Sequence, residues 1–390
     1  MSFVLKEVDN RKTRKDFLNL PVELYRDYPS WIRPLNNDIE SVFNPKTNKQ
    51  FRHGEAIRWV LYSDNKPVGR IAAFIDYEIA RNNEQPTGGV GFFECINSPE
   101  AATQLFDTAK EWLQQRGMEA MDGPINFGDR DRWWGLLVEG VYPPNYCMDY
   151  HPPYYRELFE GYGFKPYFHQ FTYYRPVNPE GLDPIIREKA ERIARNPAYH
   201  VTIISKRNLK KFAGDFRTIY NNAWGRYTGV KKMSHIHAMA LMKTLKPIID
   251  PELMYFAYYN NEPIGFFIMV PDLNQVVRHL NGQFGLVHKL KFLYLLKVKK
   301  VCTKAIGLIF GIVSQHQGKG VEGALVTEFA NRALRPDFQY KELELNWIGD
   351  FNPTMRRVAS QIGGKIRKIH ITYRYMFDRT KEVVPPRRVS

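Results

Sequence analysis

The chain has 390 residues with 56 Lys and Arg against 41 Asp and Glu, a formal charge of +15, and 44% hydrophobic residues. That length exceeds one ordinary core and fits two domains, and a basic excess of this size favours an anionic partner: nucleic acid, an acidic membrane surface or a phosphate-bearing substrate. No run reaches the ~18 consecutive apolar residues of a spanning helix, the start MSFVLKEVDNRK has no apolar signal core, and Cys95, Cys147 and Cys302 are too scattered for a disulfide framework or a zinc site.

In chain order, FVLKEV at 3–8 predicts a strand, 12–26 a helix, and IRWVLYSD, PVGRIAAFID and VGFFECI three further strands. A helix at 99–116 is opened by Ser98 and Pro99, carries the stripe Leu105, Phe106, Ala109, Trp112 and Leu113, and is stopped by Gly117. The connection 123–150, GPINFGDRDRWWGLLVEGVYPPNYCMDY, is long and rich in aromatics, as functional loops often are. Its Asp129, Arg130, Asp131 and Arg132 either pair with one another or bind a ligand. NPEGLDP near 178–184 reads as a linker, with a short helix to about 196. A strand at HVTIIS, helices from 209 to about 247 and a hairpin of LMYFAYYN and PIGFFIMV follow. His235 and His237, two apart on a predicted helix, share no face, so no metal site is expected. The chain then runs through the strand AIGLIFGIV (305–313), the loop SQHQGKG, the helix VEGALVTEFANRAL, the strand KELELNWI, a helix at 353–362 and a last strand.

Two of these features carry chemical information. The strand, glycine loop and helix at 305–334 put backbone amides at a helix N-terminus, which suits a phosphate or pyrophosphate; a plain turn is the competing reading. Gly318 and Gly320 allow positive φ and close approach of a ligand. The second feature is an internal echo at an offset of 200 residues. PPYYRELFEGYGFKPYFHQFTYYR (152–175) parallels NPTMRRVASQIGGKIRKIHITYRY (352–375). Pro153 and Pro353 open the two helices, Asn352 caps the second, and Gly163 and Gly363 close them. The stripe Tyr155, Leu158, Phe159, Tyr162 repeats as Met355, Val358, Ala359, Ile362.

On these residues the second half resembles the GNAT acyltransferase superfamily, whose pyrophosphate loop reads Gln/Arg-x-x-Gly-x-Gly/Ala; Gln317, Gly320 and the strand before them fit. The whole chain resembles bacterial tandem-GNAT proteins through GPINF (123–127), PDLNQ (271–275) and NPTM (352–355). Some proteins of this kind are long-chain acyltransferases, including bacterial ceramide synthases. The resemblance implies a mixed α/β fold of two tandem GNAT-like domains, each a mostly antiparallel twisted sheet flanked by helices. The expected divisions are an N-terminal domain at 1–177 without the phosphate loop, a linker at 178–198, a C-terminal domain at 199–380 with the acyl-CoA loop, and a tail at 381–390.

The same resemblance implies an acyl-CoA-dependent N-acyltransferase, with acyl-CoA or acetyl-CoA as co-substrate, no metal, and a small-molecule or lipid amine as acceptor. Its fourth and fifth strands would splay, so that Phe310, Ile312 and Val313 hold the pantetheine arm. Gln317, Gly318, Lys319, Gly320 and Val321 would take the pyrophosphate, with Asn352 at the start of the later helix. Glu344 or Asn346 faces the splay in the alternating strand, unless Glu344 lies on a solvent-facing polar edge. His316 is a further candidate base. Glu322 departs from the pattern, since a carboxylate beside a pyrophosphate repels it unless it points away. The tyrosine that many GNAT enzymes use as general acid is replaced by Ala359, and by Phe159 in the first copy. These departures support an alternative: a catalytically degenerate acyl-CoA-binding or membrane-surface interaction protein.

From Pro271 to Lys304 there are seven basic residues against Asp272 alone, interleaved with Leu286, Leu290, Phe292, Leu293, Tyr294, Leu295 and Leu296. That mixture reads as an interfacial helix, or as a core-packing helix with snorkelling lysines, rather than a nucleic-acid groove. A cytoplasmic protein peripheral to the inner membrane is the expectation. The third class, a nucleic-acid-binding module, lacks base-stacking motifs.

Overall fold

The computed structural model describes residues 2–82, 85–128, 130–224 and 232–386. Its strands are β1 (Phe3–Glu7), β2 (Gly54–Ser63), β3 (Lys66–Asp76), β4 (Thr87–Cys95), β5 (Ala120–Gly123), β6 (Leu136–Glu139), β7 (Lys165–Pro176), β8 (Tyr199–Ile203), β9 (Met254–Tyr259), β10 (Glu262–Pro271), β11 (Lys304–Ile312), β12 (Glu342–Gly349) and β13 (Lys365–Met376). The helices are α1 (Arg11–Leu24), α2 (Asn36–Val42), α3 (Tyr77–Asn82), α4 (Pro99–Gln114), α5 (Tyr154–Tyr162), α6 (Pro184–Ala194), α7 (Leu209–Trp224), α8 (His235–Leu245), α9 (Asn274–Val277), α10 (Leu286–Leu293), α11 (Val321–Ala333) and α12 (Pro353–Gln361).

All strands join one sheet in the order β1-β2-β3-β4-β5-β13-β7-β12-β11-β10-β9-β8, with β6 paired to β13 off this path. Read from either edge the order is the same: five strands of one half, then the closing strand of the other. The two halves therefore exchange their last strands. β13 pairs β5, β7 pairs β12, and β7 and β13 pair antiparallel with each other at the centre. The echo seen in the sequence is this exchanged unit, α5–β7 and α12–β13. Pairing is antiparallel except for β4 with β5 and β11 with β12.

Alternation along the strands sorts the core onto both faces of the sheet. In the first half Leu61, Ile71 and Ala73 lie under α4 and α5, while Val60, Tyr62, Ala72 and Phe74 lie under α1 and α2. In the second half Phe266 stacks on Phe216 of α7, and its neighbour Phe267 meets Phe329 of α11 edge-on. Caps hold the helix starts as expected. Ser98 accepts from the Ala101 amide, and Asn352 from that of Met355. Gly163 takes φ 111° at the end of α5. The predicted helical stretch 209–247 is two helices, because Trp224 ends α7 and Ser234 caps α8; positions 225–231 lie outside the described residues. The 123–150 connection starts from the last residue of β5 and contributes β6 to the sheet, and Asp129 within it lies outside the described residues.

Candidate active site

The chemistry-bearing geometry lies where β11 and β12 part. They pair in parallel only from Lys304 to Gly307 against Glu342 to Leu345. Beyond that point Ile309–Ile312 stays with β10, and β12 stays with β7. The β10–β11 register slips between Ile268 and Met269, which makes Leu308 the extra residue of a bulge without a partner in either neighbouring register. Leu308 is 41% exposed, so the opening is accessible there. The far end of this strand is less free than the sequence predicts. The Val313 amide donates to Ile264 O at 2.9 Å, and the carbonyl of buried Ile312 accepts from Gln317 Nε2 at 3.0 Å. Phe310 is half-buried.

The glycine loop follows. Gly318 at φ 70° has open space where a Cβ would stand. Gly320, at φ 103°, is the N-cap of α11, and Val321 just inside is buried. Gln317 and Lys319 are exposed. What the sequence does not reveal is that α6 runs along α11. A Cβ on Gly320 would lie 3.0 Å from Lys189 O and 3.2 Å from Arg192 Nη2, and one on Gly323 would lie 2.7 Å from Ile186 O. Fully buried Ile186 clusters with Val326 of α11 and Ile362 beside α12, against Phe310, Leu345 and Val358. So α6 fills the groove between α11 and α12 above the parting strands. Glu322 turns away from the loop and pairs with Lys189 Nζ at 2.9 Å. Its carboxylate fastens α6 to α11 and does not face a phosphate.

Glu344 is 1% exposed, which rules out the solvent-facing edge. It meets Lys368 Nζ at 2.8 Å, Arg367 Nη1 at 3.6 Å and Lys304 Nζ at 3.7 Å, and Lys304 also pairs with Asp272 at 2.9 Å. Burial raises the Glu344 pKa, but Lys368 and Lys304 outweigh it and hold the group below the ordinary glutamate value. For Lys368 burial wins over Glu344, and its pKa falls. Asn145 ties this cluster to the long connection, accepting from Lys304 Nζ at 3.0 Å. The PDLNQ segment serves the same assembly: Asp272 neutralises Lys304, Asn274 donates to Pro144 O, and Gln275 accepts from the Thr303 and Lys304 amides.

A register shift between Leu345 and Ile348 interrupts the predicted alternation at Asn346 and Trp347. As a result Trp347, which strict alternation would put on the face opposite Glu344, also reaches the long connection, donating to Arg130 O at 3.1 Å. Asn346, beside the parting point, has a buried Oδ1 without a hydrogen-bond partner among the described residues. His316 is not part of this group. Its ring packs on Tyr199 of the edge strand β8 and Tyr259 of its neighbour β9, with Nδ1 3.2 Å from the Tyr199 hydroxyl. In strand order β10 and β11 separate it from Asn346. Burial and Lys319 lower its pKa.

The first half repeats the geometry but closes it. β4 and β5 part after Gly89, and the register again slips, beside Phe92 at φ 50°. There GPINF fills the gap: the Ile125 amide donates to Val90 O, and Ile125 O abuts Gly91. Phe93, Phe106 and Phe159 fill the groove between α4 and α5, with ring centroids 4.6 to 5.2 Å apart.

Two units with parting fourth and fifth strands, joined in one sheet, have the fold of a tandem GNAT protein. A solved tandem GNAT protein from the clavulanic acid biosynthesis pathway superposes with a TM-score of 0.56 at 12% identity, covering 97% of this chain and 99% of that one. No protein-family model matches the chain. The bacterial ceramide synthase of Caulobacter vibrioides is 28% identical over 371 residues, spanning 92% of this chain and 94% of that protein. Protein YghO of Escherichia coli K12 is 26% identical over 371 residues, 93% of each.

Proposed function

We propose that this chain is an acyltransferase that moves an acyl group from acyl-CoA to an amine, with the parting strands β11 and β12 as the thioester site. The observation that carries this reading is the end of pairing at Gly307 and Leu345, with the Leu308 bulge beside it and the glycine loop at the strand's far end. Such a site supplies fixed backbone dipoles at a reacting carbonyl, which is the main need of direct attack on a thioester. The co-substrate contributes an activated carbonyl and a thiolate leaving group. Asn346 Oδ1 is placed to accept from the attacking amine and orient it. Glu344, committed to Lys368 and Lys304, positions the strand and is not a free base. Gly318, Lys319 and Arg192 form the basic setting for phosphates. Because Gly320 already touches the Lys189–Arg192 turn, full seating of a pyrophosphate requires α6 to shift. The likeness to the bacterial ceramide synthase of Caulobacter vibrioides supports a lipid or long-chain amine as acceptor.

Amine-dependent release of free thiol from palmitoyl-CoA tests the reading, with sphingoid and simple alkyl amines compared. Release in the absence of amine only, or none with any acyl chain, contradicts it. A second reading, an acyl-CoA-binding protein without turnover, is favoured by α6 lying in the groove. Saturable binding without thiol release selects it.

A further inference from the structure

The apolar side chains of the 286–298 segment face solvent, not the core. Six of the fifteen large apolar residues exposed among the described residues are here: Leu286 (77%), Val287 (74%), Leu290 (63%), Leu293, Tyr294 and Val298 (68%). At 3.6 residues per turn they occupy a sector of roughly 140° on one side of the helix. The opposite side holds it to the protein through buried Phe292 and Leu296, with Phe292 edge-on to Phe284. The segment is α10 followed by a π-helical turn at Tyr294–Val298, which keeps the exposed stripe continuous as far as Val298.

Charge identifies what covers this stripe. Lys289, Lys291, Lys297, Lys299 and Lys300 are all exposed around it, and no acidic residue occurs in sequence between Asp272 and Glu322. Asp250 and Lys206, near Lys297, are the charged groups approaching from other elements, and Asp250 accepts from the Tyr340 hydroxyl. A second copy of the chain would bring two lysine clusters together over the apolar contact. An anionic lipid surface instead takes the leucines into its acyl boundary and the lysines against its headgroups.

We infer that α10 and its π turn form a peripheral membrane anchor for acidic bilayers. The inference does not depend on catalysis. The test is flotation of the full chain with vesicles of phosphatidylcholine alone or with 30% phosphatidylglycerol. Binding to the anionic vesicles exceeds that to neutral ones by at least tenfold and falls steeply as NaCl rises to 0.5 M. The double substitution Leu286→Ser with Leu290→Ser lowers partitioning at least tenfold, and Lys289→Glu lowers it about fivefold or more. Neither moves the melting temperature, because the side chains are already exposed. A Leu293→Trp variant gives a blue shift of emission with anionic vesicles and none with neutral ones. Equal binding to both vesicle types, no binding to either, or a wild-type dimer that the double substitution dissociates would overturn the inference.

Discussion

Ile186→Ala separates a removable cover from a fixed part of the core. Ile186 is fully buried where α6 meets α11 and α12, and truncating a buried isoleucine to alanine costs about 3 kcal/mol. If α6 must leave its groove before acyl-CoA seats on Gly320, that cost is removed from the opening equilibrium. About 3 kcal/mol corresponds to roughly 150-fold in an equilibrium constant, which sets the ceiling on the gain in apparent affinity. The expected result is a palmitoyl-CoA Kd at least tenfold tighter for the variant by isothermal titration, with a lower melting temperature in the absence of ligand. Glu322→Gln, which releases Lys189, shifts the Kd in the same direction by a smaller factor. A lower melting temperature with an unchanged or weaker Kd would refute the reasoning, since α6 would then be core alone.

Asn346→Ala is expected to lower kcat for amine acylation by tenfold or more with little change in the acyl-CoA KM, whereas His316→Ala, packed on the β8–β9 edge, leaves both within twofold. Burial lowers His151 to a pKa of about 3 and His370 to about 4, against 6.5 unfolded. The unfolded chain then binds more protons as pH falls below 6.5, and two such groups remove about 5 kcal/mol of stability between pH 6.5 and 4.5. Chemical denaturation at the two pH values checks this, and His151→Gln with His370→Gln flattens the difference. For Glu344 the folded pKa is depressed, so its contribution is present above about pH 4.5 and fades as pH falls through the lower folded value. The stability gap between wild type and Glu344→Gln accordingly narrows from pH 7 to pH 3 in urea titrations. Residues 1–177 and 178–390 expressed as separate chains each lack a strand of their own sheet, so they co-purify as a 1:1 complex when coexpressed and aggregate when made alone.

Much of the architecture is legible in the sequence because local signals and burial agree. Ser98, Asn352 and Gly163 mark helix ends by backbone chemistry, and these need no tertiary context. The parting of β11 and β12 follows from the resemblance and is present from Leu308 onward. The exchange of β7 and β13 is invisible, because either strand pairs equally well by its own pattern and only the assembled sheet decides between them. The same holds for α6. Its alternation of Ile185, Ile186 and Ile193 with charge reads as a linker helix, while its position depends on glycines at 320 and 323, of which the sequence pattern singles out only Gly320, and that for phosphate. Glu322 is a local contradiction that the neighbouring helix resolves through Lys189. The exposed-edge alternative for Glu344 fails because its partners, Lys304 and Lys368, come from strands distant in sequence. Lys304 at the head of the apolar run AIGLIFGIV is the signal of that cluster in the sequence, whereas Lys368 is one of several charged residues in its strand.

The central claim is that the glycine loop and parting strands of the second half hold an acyl thioester during transfer to an amine. The most direct measurement is the palmitoyl-CoA KM for amine-dependent thiol release by wild type and by Gly318→Glu. Open space surrounds Gly318, so the new carboxylate meets no neighbour and repels phosphate, while the strain of a side chain at φ 70° is matched by the uncharged control Gly318→Gln. Expected are turnover by the wild type, a KM at least tenfold higher in Gly318→Glu than in Gly318→Gln, and the same lowered melting temperature in both variants. Turnover with the same KM in both variants would place the thioester elsewhere and contradict the account.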